Sequence, residues 1–123
     1  MIISAPLSST APIHKTSYFE TNHNNKLACD MMLHIERAPS GGLQESVVQR
    51  TVFTIRTLDN SFPDSQWKLI KLIRLPLAEV NDQMTIPSHG MEFFDFVKWF
   101  MTKHELMNYS EPVAVYYYMK IRM

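Results

Sequence analysis

Ser88-His89-Gly90-Met91-Glu92-Phe93-Phe94-Asp95-Phe96-Val97-Lys98-Trp99-Phe100-Met101-Thr102-Lys103-His104-Glu105-Leu106-Met107-Asn108 is the stretch on which the fold turns. Ser88 is an N-cap residue type, Gly90 lies close to the start, and apolar Phe93, Phe96, Val97, Phe100 and Met107 recur at helical spacing, so a helix is predicted. At about 100° per residue, Phe94, Trp99, Met101 and Leu106 widen its apolar stripe beyond the arc needed to lie on one sheet. Only Asp95, Lys98, Thr102 and Glu105 make a clean polar face. A helix this apolar in a chain this short is expected to be covered by a second copy, with Phe94, Trp99 and Met101 at a dimer interface.

Upstream of the helix the period changes to two. Lys26 to Arg37 alternates, with Leu27, Cys29, Met31, Leu33 and Ile35 on one face and Asp30, His34 and Glu36 on the other. Ala38-Pro39-Ser40-Gly41-Gly42 is a turn, and Val47 to Leu58 is a second strand in which Phe53 and Ile55 oppose Arg50, Thr54 and Arg56. Trp67 to Leu75 is a third strand stopped by Pro76, and Asp82 to Ile86 is read as a short fourth before Pro87. At the amino end, residues 1–25 read as a hairpin or arm ended by the turn formers Thr21-Asn22-His23-Asn24-Asn25. Downstream, Pro112 to Met123 alternates as a strand would, although Ser110-Glu111-Pro112 also suits the opening of a short helix. The expectation is one α+β domain: arm 1–25, antiparallel meander 26–87, and a helical region with tail 88–123 packed on one face.

Composition excludes several classes. The 123 residues are 46% hydrophobic and 20% charged, with twelve Lys and Arg against twelve Asp and Glu, so no large positive field surrounds the protein. One cysteine, Cys29, rules out an internal disulfide or a multi-cysteine metal site. No apolar run approaches the roughly 20 residues of a membrane span, and Met1 to Pro12 lacks the form of a secretory signal, which suggests folding in a reducing cytoplasm. The glycines, Gly41, Gly42 and Gly90, form no phosphate-cradling loop.

No catalytic constellation emerges from spacing. His14-Lys15-Thr16 has the form of half a His-x-Thr phosphoesterase signature, but the other four histidines supply no second half. His104 has Met107 and Asn108 at the positions where a helical zinc site would want a ligand, and Glu92 and Asp95 sit beside Lys98 on an exposed face. Cys29 shares its strand phase with Leu27 and Met31, so core packing is expected of it, and the nine methionines read as core filler. The protein is therefore expected to be no enzyme, with no cofactor, metal or small-molecule substrate. What remains is a cation-bearing sheet face of Arg50, Thr54 and Arg56, with Lys68 and Arg74 on the next strand and Lys26 and His34 on the one before. Such a face suits phosphate and base contacts on single-stranded or looped RNA, although Asp30, Glu36, Ile70 and Leu72 in the same phase weaken it.

The order of elements from residue 26 to 107 resembles the coat protein of single-stranded RNA bacteriophages of the levivirus type. Ile35-Glu36-Arg37, the turn Ala38 to Gly42 and Arg50-Thr51-Val52-Phe53-Thr54-Ile55-Arg56 look like the family's central sheet. Trp67 to Pro76 is similar to its long strand running through a proline into a loop, and Met84-Thr85-Ile86-Pro87 to its last strand before the first helix. The resemblance implies a homodimer with a shared sheet, closure into an icosahedral shell in a host bacterium, and RNA on the inner face at Arg50, Thr54, Arg56, Lys68 and Arg74. The loop carries no cysteine and the tail is strand-like, both departures from the family's pattern. The alternatives are a small α+β interaction module or inhibitor that binds a partner protein through Phe94, Trp99 and Tyr116 to Tyr118, and a phosphoesterase using His14.

Overall fold

A computed structural model describes residues 13–38 and 51–121. Five strands, β1 (Ile13–Phe19), β2 (Met31–Arg37), β3 (Thr51–Thr57), β4 (Ser65–Pro76) and β5 (Pro112–Lys120), form one mixed sheet in the order β1-β3-β4-β5-β2. The chain is α+β, as the sequence suggests, but the sheet is not a meander. β1 pairs parallel with β3, from Ile13 opposite Thr51 to Phe19 opposite Thr57, and the other pairings are antiparallel. The alternating tail is a strand, and it lies between β4 and β2 rather than at the chain's periphery. The amino-terminal stretch Ile2 to Pro12, residues 39–50 of the expected turn and second strand, and residues 122–123 of the tail lie outside the described residues.

Asp82 to Ile86, expected as a strand, belongs to helix α1 (Asp82–His89), which leads into helix α2 (Phe93–His104). The alternation of Met84 and Ile86 is too short to hold the segment in a sheet, and local chemistry favours a helix. Asp82 sits in the first turn, where its charge suits the helix dipole, and Gly90 ends the helix at φ 71° with its N–H on the Ile86 carbonyl. Pro87 falls in the last turn, so its missing N–H costs one intrahelical bond and does not break the helix. The Asp82 carboxylate also accepts the Phe93 N–H at 2.6 Å, which couples the two helices.

The sheet curls until its two edges face each other. Phe19 at the end of β1 and His34 in β2 are at opposite ends of the strand order, yet their rings stack at 3.8 Å and 13°. A bulge between Leu69 and Lys71 in the long β4 sharpens the curl. The interior is filled by Phe19, Leu27, Phe53, Ile55, Trp67 and Tyr118. A second core lies outside, where α2 lays Phe96, Val97 and Phe100 over Leu33, Ile35, Val113 and Val115. β2 and β5 are thus covered on both faces, and Met32 to Ile35 and Val113 to Tyr116 are buried without a break.

Two expectations change here. Cys29 is exposed, because the strand begins only at Met31 and the residues before it form a pair of 3-10 turns, His23–Ala28. Asn24 and Asn25 take left-handed backbone there, at φ 55° and 54°, a conformation asparagine tolerates. The wide stripe of α2 is largely used within its own chain: Phe96 and Phe100 are buried, and Trp99 and Met101 are half-buried. Phe94 alone of the three expected interface residues is open, at 79% exposure.

Thr85 in α1 is fully buried and its hydroxyl has no partner among the described residues. Replacing a buried, unpaired hydroxyl with a methyl of the same shape removes a desolvation cost. Thr85→Val is expected to stabilise the fold by about 1 kcal/mol, read as a higher denaturation midpoint with an unchanged slope; a lower midpoint would show that the hydroxyl has a partner.

Candidate functional site

The seam between β1 and β2 does not close with backbone pairing. It is filled by side chains, and at its centre lies a buried amine. Lys26, at the end of the 3-10 turns, is 3% exposed. Its Nζ donates to the Ser88 carbonyl at 2.6 Å and to His34 Nδ1 at 2.5 Å. Nε2 faces the Glu36 carboxylate, which only accepts, so Nε2 carries the proton and Nδ1 accepts from the Lys26 amine. Nε2–H in turn donates to Glu36 Oε1 at 3.1 Å. A chain of hydrogen bonds thus runs from Lys26 through His34 to Glu36, the last two lying i, i+2 on one side of β2.

Ser88 fixes a second ring. Its hydroxyl accepts the Ile35 N–H at 2.8 Å, which caps the outer edge of β2, and is hydrogen-bonded to His89 Nδ1 at 2.7 Å. His89 Nε2 makes no hydrogen bond to another described residue. Asn24 adds a bond from its side-chain amide to the Ile86 carbonyl at 3.0 Å, so the turns grip the last turn of α1 at two points.

Electrostatics follow from burial. Desolvation lowers the Lys26 amine to about 7, only partly opposed by the Glu36 carboxylate. Burial, reinforced by the nearby Lys26, holds His34 well below its usual value; His89 is lowered by burial together with His34 and Lys26. His23 is lowered by burial and Lys26, and Glu36 is raised by burial against the pull of Lys26, His104 and Lys103. The site holds neutral rings near neutral pH.

Above these groups opens a cavity of about 280 Å³. Its wall is aromatic: His23 and His89 are 4.5 Å apart, His89 and Trp99 5.0 Å, and Phe100 and His104 4.4 Å. Its rim is charged. Lys103 lies 5.0 Å over the Trp99 ring and pairs with Glu20 across the mouth, while Arg37 and Glu36 border the β2 side. Perturbed titratable groups in a concave, ring-lined site are the usual mark of a functional centre. Among the described residues, no three of His, Cys, Asp or Glu are arranged to hold a metal ion.

Of the residues expected to face RNA, the structure brings Lys26 and His34 together, but buried and facing the seam. Thr54 and Arg56 lie on the outward side of β3, and Arg56 is engaged by Asp64 at 2.8 Å. Lys68 is outward on β4, opposite Met119, whereas Arg74 stands opposite Ala114 of the interior set. The bulge has turned the strand between them, so these two cations do not share a face. Arg50 lies outside the described residues. Spacing did not bring together His23, His89, Trp99 and Lys103, which come from three separated segments: the 3-10 turns, the end of α1, and α2.

Fold and cleft together define a small α+β domain whose curled mixed sheet is sealed along its seam by a buried amine and a set of rings. Among solved structures it is similar to the ASCH domain from Lactobacillus crispatus JV V101, with a TM-score of 0.63 and 12% identity over 96% of this chain and 86% of that one. At that identity the likeness is one of fold. No family model and no curated protein matches the chain. The likeness overturns the coat-protein resemblance, and with it the capsid, the virion and the icosahedral shell. The order of strand-like segments was compatible with a coat sheet, but the tail strand inserted beside β4 and the parallel β1 are a different topology.

The buried amine predicts a pH dependence. Between about 7 and its ordinary 10.5, the unfolded chain holds a proton on Lys26 that the native state lacks, so stability rises with pH through this window. His34, His89 and His23 are likewise lowered, so stability falls as pH drops below 6.5 and the unfolded chain takes protons the native rings refuse. Melting temperature followed against pH checks both slopes. Lys26→Met should flatten the alkaline one; an unchanged slope in that variant would assign it elsewhere.

Proposed function

We propose that this is a small RNA-binding domain that takes one unstacked base of a single strand or loop into the seam cavity. The observation that carries the reading is the cavity's wall of neutral rings beneath a charged rim that includes the cations Lys103 and Arg37. Unpaired bases are recognised by stacking on aromatic faces, and phosphates by cations beside them. Trp99 and the histidines supply the faces, and Lys103 and Arg37 the charge. Binding, not turnover, is the activity proposed: the Lys26 amine is engaged with Ser88 and His34 behind the wall, where it orders the rings.

Binding is measured by fluorescence anisotropy with labelled single-stranded RNA of about ten nucleotides, a length within the range covered by single small domains. Trp99→Leu keeps apolar bulk but not the stacking face, and is expected to weaken binding by about 1–3 kcal/mol. Lys103→Ala is expected to lower the slope of log affinity against log salt by roughly one. No binding at low salt, or affinities unchanged in both variants, would defeat the reading.

A second reading rests on Phe94, exposed beside Tyr109 along a groove of Ala78, Phe93, Val97 and Lys98 on the far side of α2. It is a protein-contact surface, and a second copy of the chain is the first partner to test. Sedimentation equilibrium should then show concentration-dependent mass that Phe94→Ser abolishes. A monomer at every concentration in the wild type would remove self-association.

A further inference from the structure

We propose that the base taken by the cavity is guanine, recognised through its adjacent N1–H and N2–H donors by the carboxylate of Glu36. The inference rests on the reading of the cavity as a base site, and deepens it.

Three features lead to it. First, Glu36 is the cavity's available acceptor: the other carboxylate at the mouth, Glu20, is paired with Lys103. Second, Glu36 is positioned. Its Oε1 accepts His34 Nε2–H at 3.1 Å, and His34 is itself pinned by Lys26 at 2.5 Å and by stacking on Phe19 at 3.8 Å. The remaining oxygen, Oε2, makes no hydrogen bond to a described residue. A carboxylate held in this way is an acceptor only, and is complementary to a base edge with two neighbouring donors. Third, donors stand elsewhere on the lining: the side chains of Lys103 and Arg37 suit acceptors such as guanine O6 and N7 and the phosphate.

The alternatives fit less well. Uracil offers one N–H between two carbonyl oxygens, and those oxygens would meet the carboxylate. Adenine and cytosine offer one amino group next to a ring nitrogen that is itself an acceptor. Guanine alone presents two donors side by side, so both carboxylate oxygens gain a partner. Lys26 and His34 are positioning residues here: they aim Glu36 and do not touch the base.

The test uses the full chain and four oligoribonucleotides: oligouridine, the same strand with one central guanine, the same with one central inosine, and the same with one central adenine. The guanine strand is expected to bind roughly tenfold tighter than oligouridine, the worth of a charge-assisted donor pair. The inosine strand, which lacks the N2 amino group, should fall between. Glu36→Gln should erase the guanine preference, so that the guanine strand and oligouridine bind that variant within about twofold of each other. Equal affinity for all four strands, or a preference that survives Glu36→Gln, would overturn the guanine assignment and leave the base-binding reading standing. Absence of binding to every strand would defeat the base-binding reading itself. Guanosine monophosphate is titrated in parallel against tryptophan fluorescence. Saturation by the nucleotide with no binding of the guanine strand would keep guanine and reject RNA as its source.

Discussion

An amine without water is the constraint around which this structure is arranged. Lys26 is placed by a turn that has no regular periodicity, in a seam where the sheet's hydrogen bonding has run out. A primary amine in such a place needs acceptors, and it finds a helix-end carbonyl on one side and an imidazole on the other. Each acceptor is then committed. The carbonyl ties α1 to the turns, and the imidazole must turn its proton outward toward Glu36. Removing the lysine would leave the Ser88 carbonyl and His34 Nδ1 without their donor.

The sheet explains why such a seam exists. With β1 parallel to β3 and β5 inserted between β4 and β2, the first two strands are the two edges, although they are neighbours in sequence. A loop from Glu20 to Asp30 joins them across the gap. Curling brings the edges close enough for rings to stack, and too far apart for a backbone ladder. Open edges are exposed to unwanted pairing. Here β2 is protected by the Ser88 hydroxyl on the Ile35 N–H, and the rest of the gap is sealed by Phe19 against His34. The same side chains that blunt the edge form the floor of the cavity.

How far the sequence disclosed this depended on the range of each signal. The helix from Phe93 was legible because its stripe repeats over three turns, and so were β3 and β4, whereas the tail's alternation competed with a helix-opening Ser110-Glu111-Pro112 and left strand and helix both open. The pairing order was not, since alternation shows that a strand has two faces and says nothing about its neighbours. The segment Asp82 to Ile86 was too short for any period, and its helix is set by Asp82, Gly90 and contacts with the turns. Part of the excess width of α2 is used within the chain, where the helix meets the outer sheet with Phe96, Val97 and Phe100 and the cavity with Trp99, while Phe94 stays open. A search for partners along the chain could not assemble the site. His23, His34, His89 and Trp99 are scattered over seventy-seven positions from 23 to 99, and only His34 and Glu36, two apart on one strand, showed a local relation.

The arrangement also accounts for the choice of histidine over phenylalanine in the wall. A purely apolar seam would bury Lys26 with no acceptor beyond Ser88, and burial of an unpaired donor carries a penalty that packing does not recover. Histidine supplies a flat face for stacking and an edge that accepts from the amine, so one residue meets both demands at position 34. At position 89 the same economy holds, with the Ser88 hydroxyl as the hydrogen-bond partner. Burial then keeps both rings neutral, which preserves their faces as stacking surfaces. The rings' faces and hydrogen-bonding edges, and not their charge, are what the seam uses.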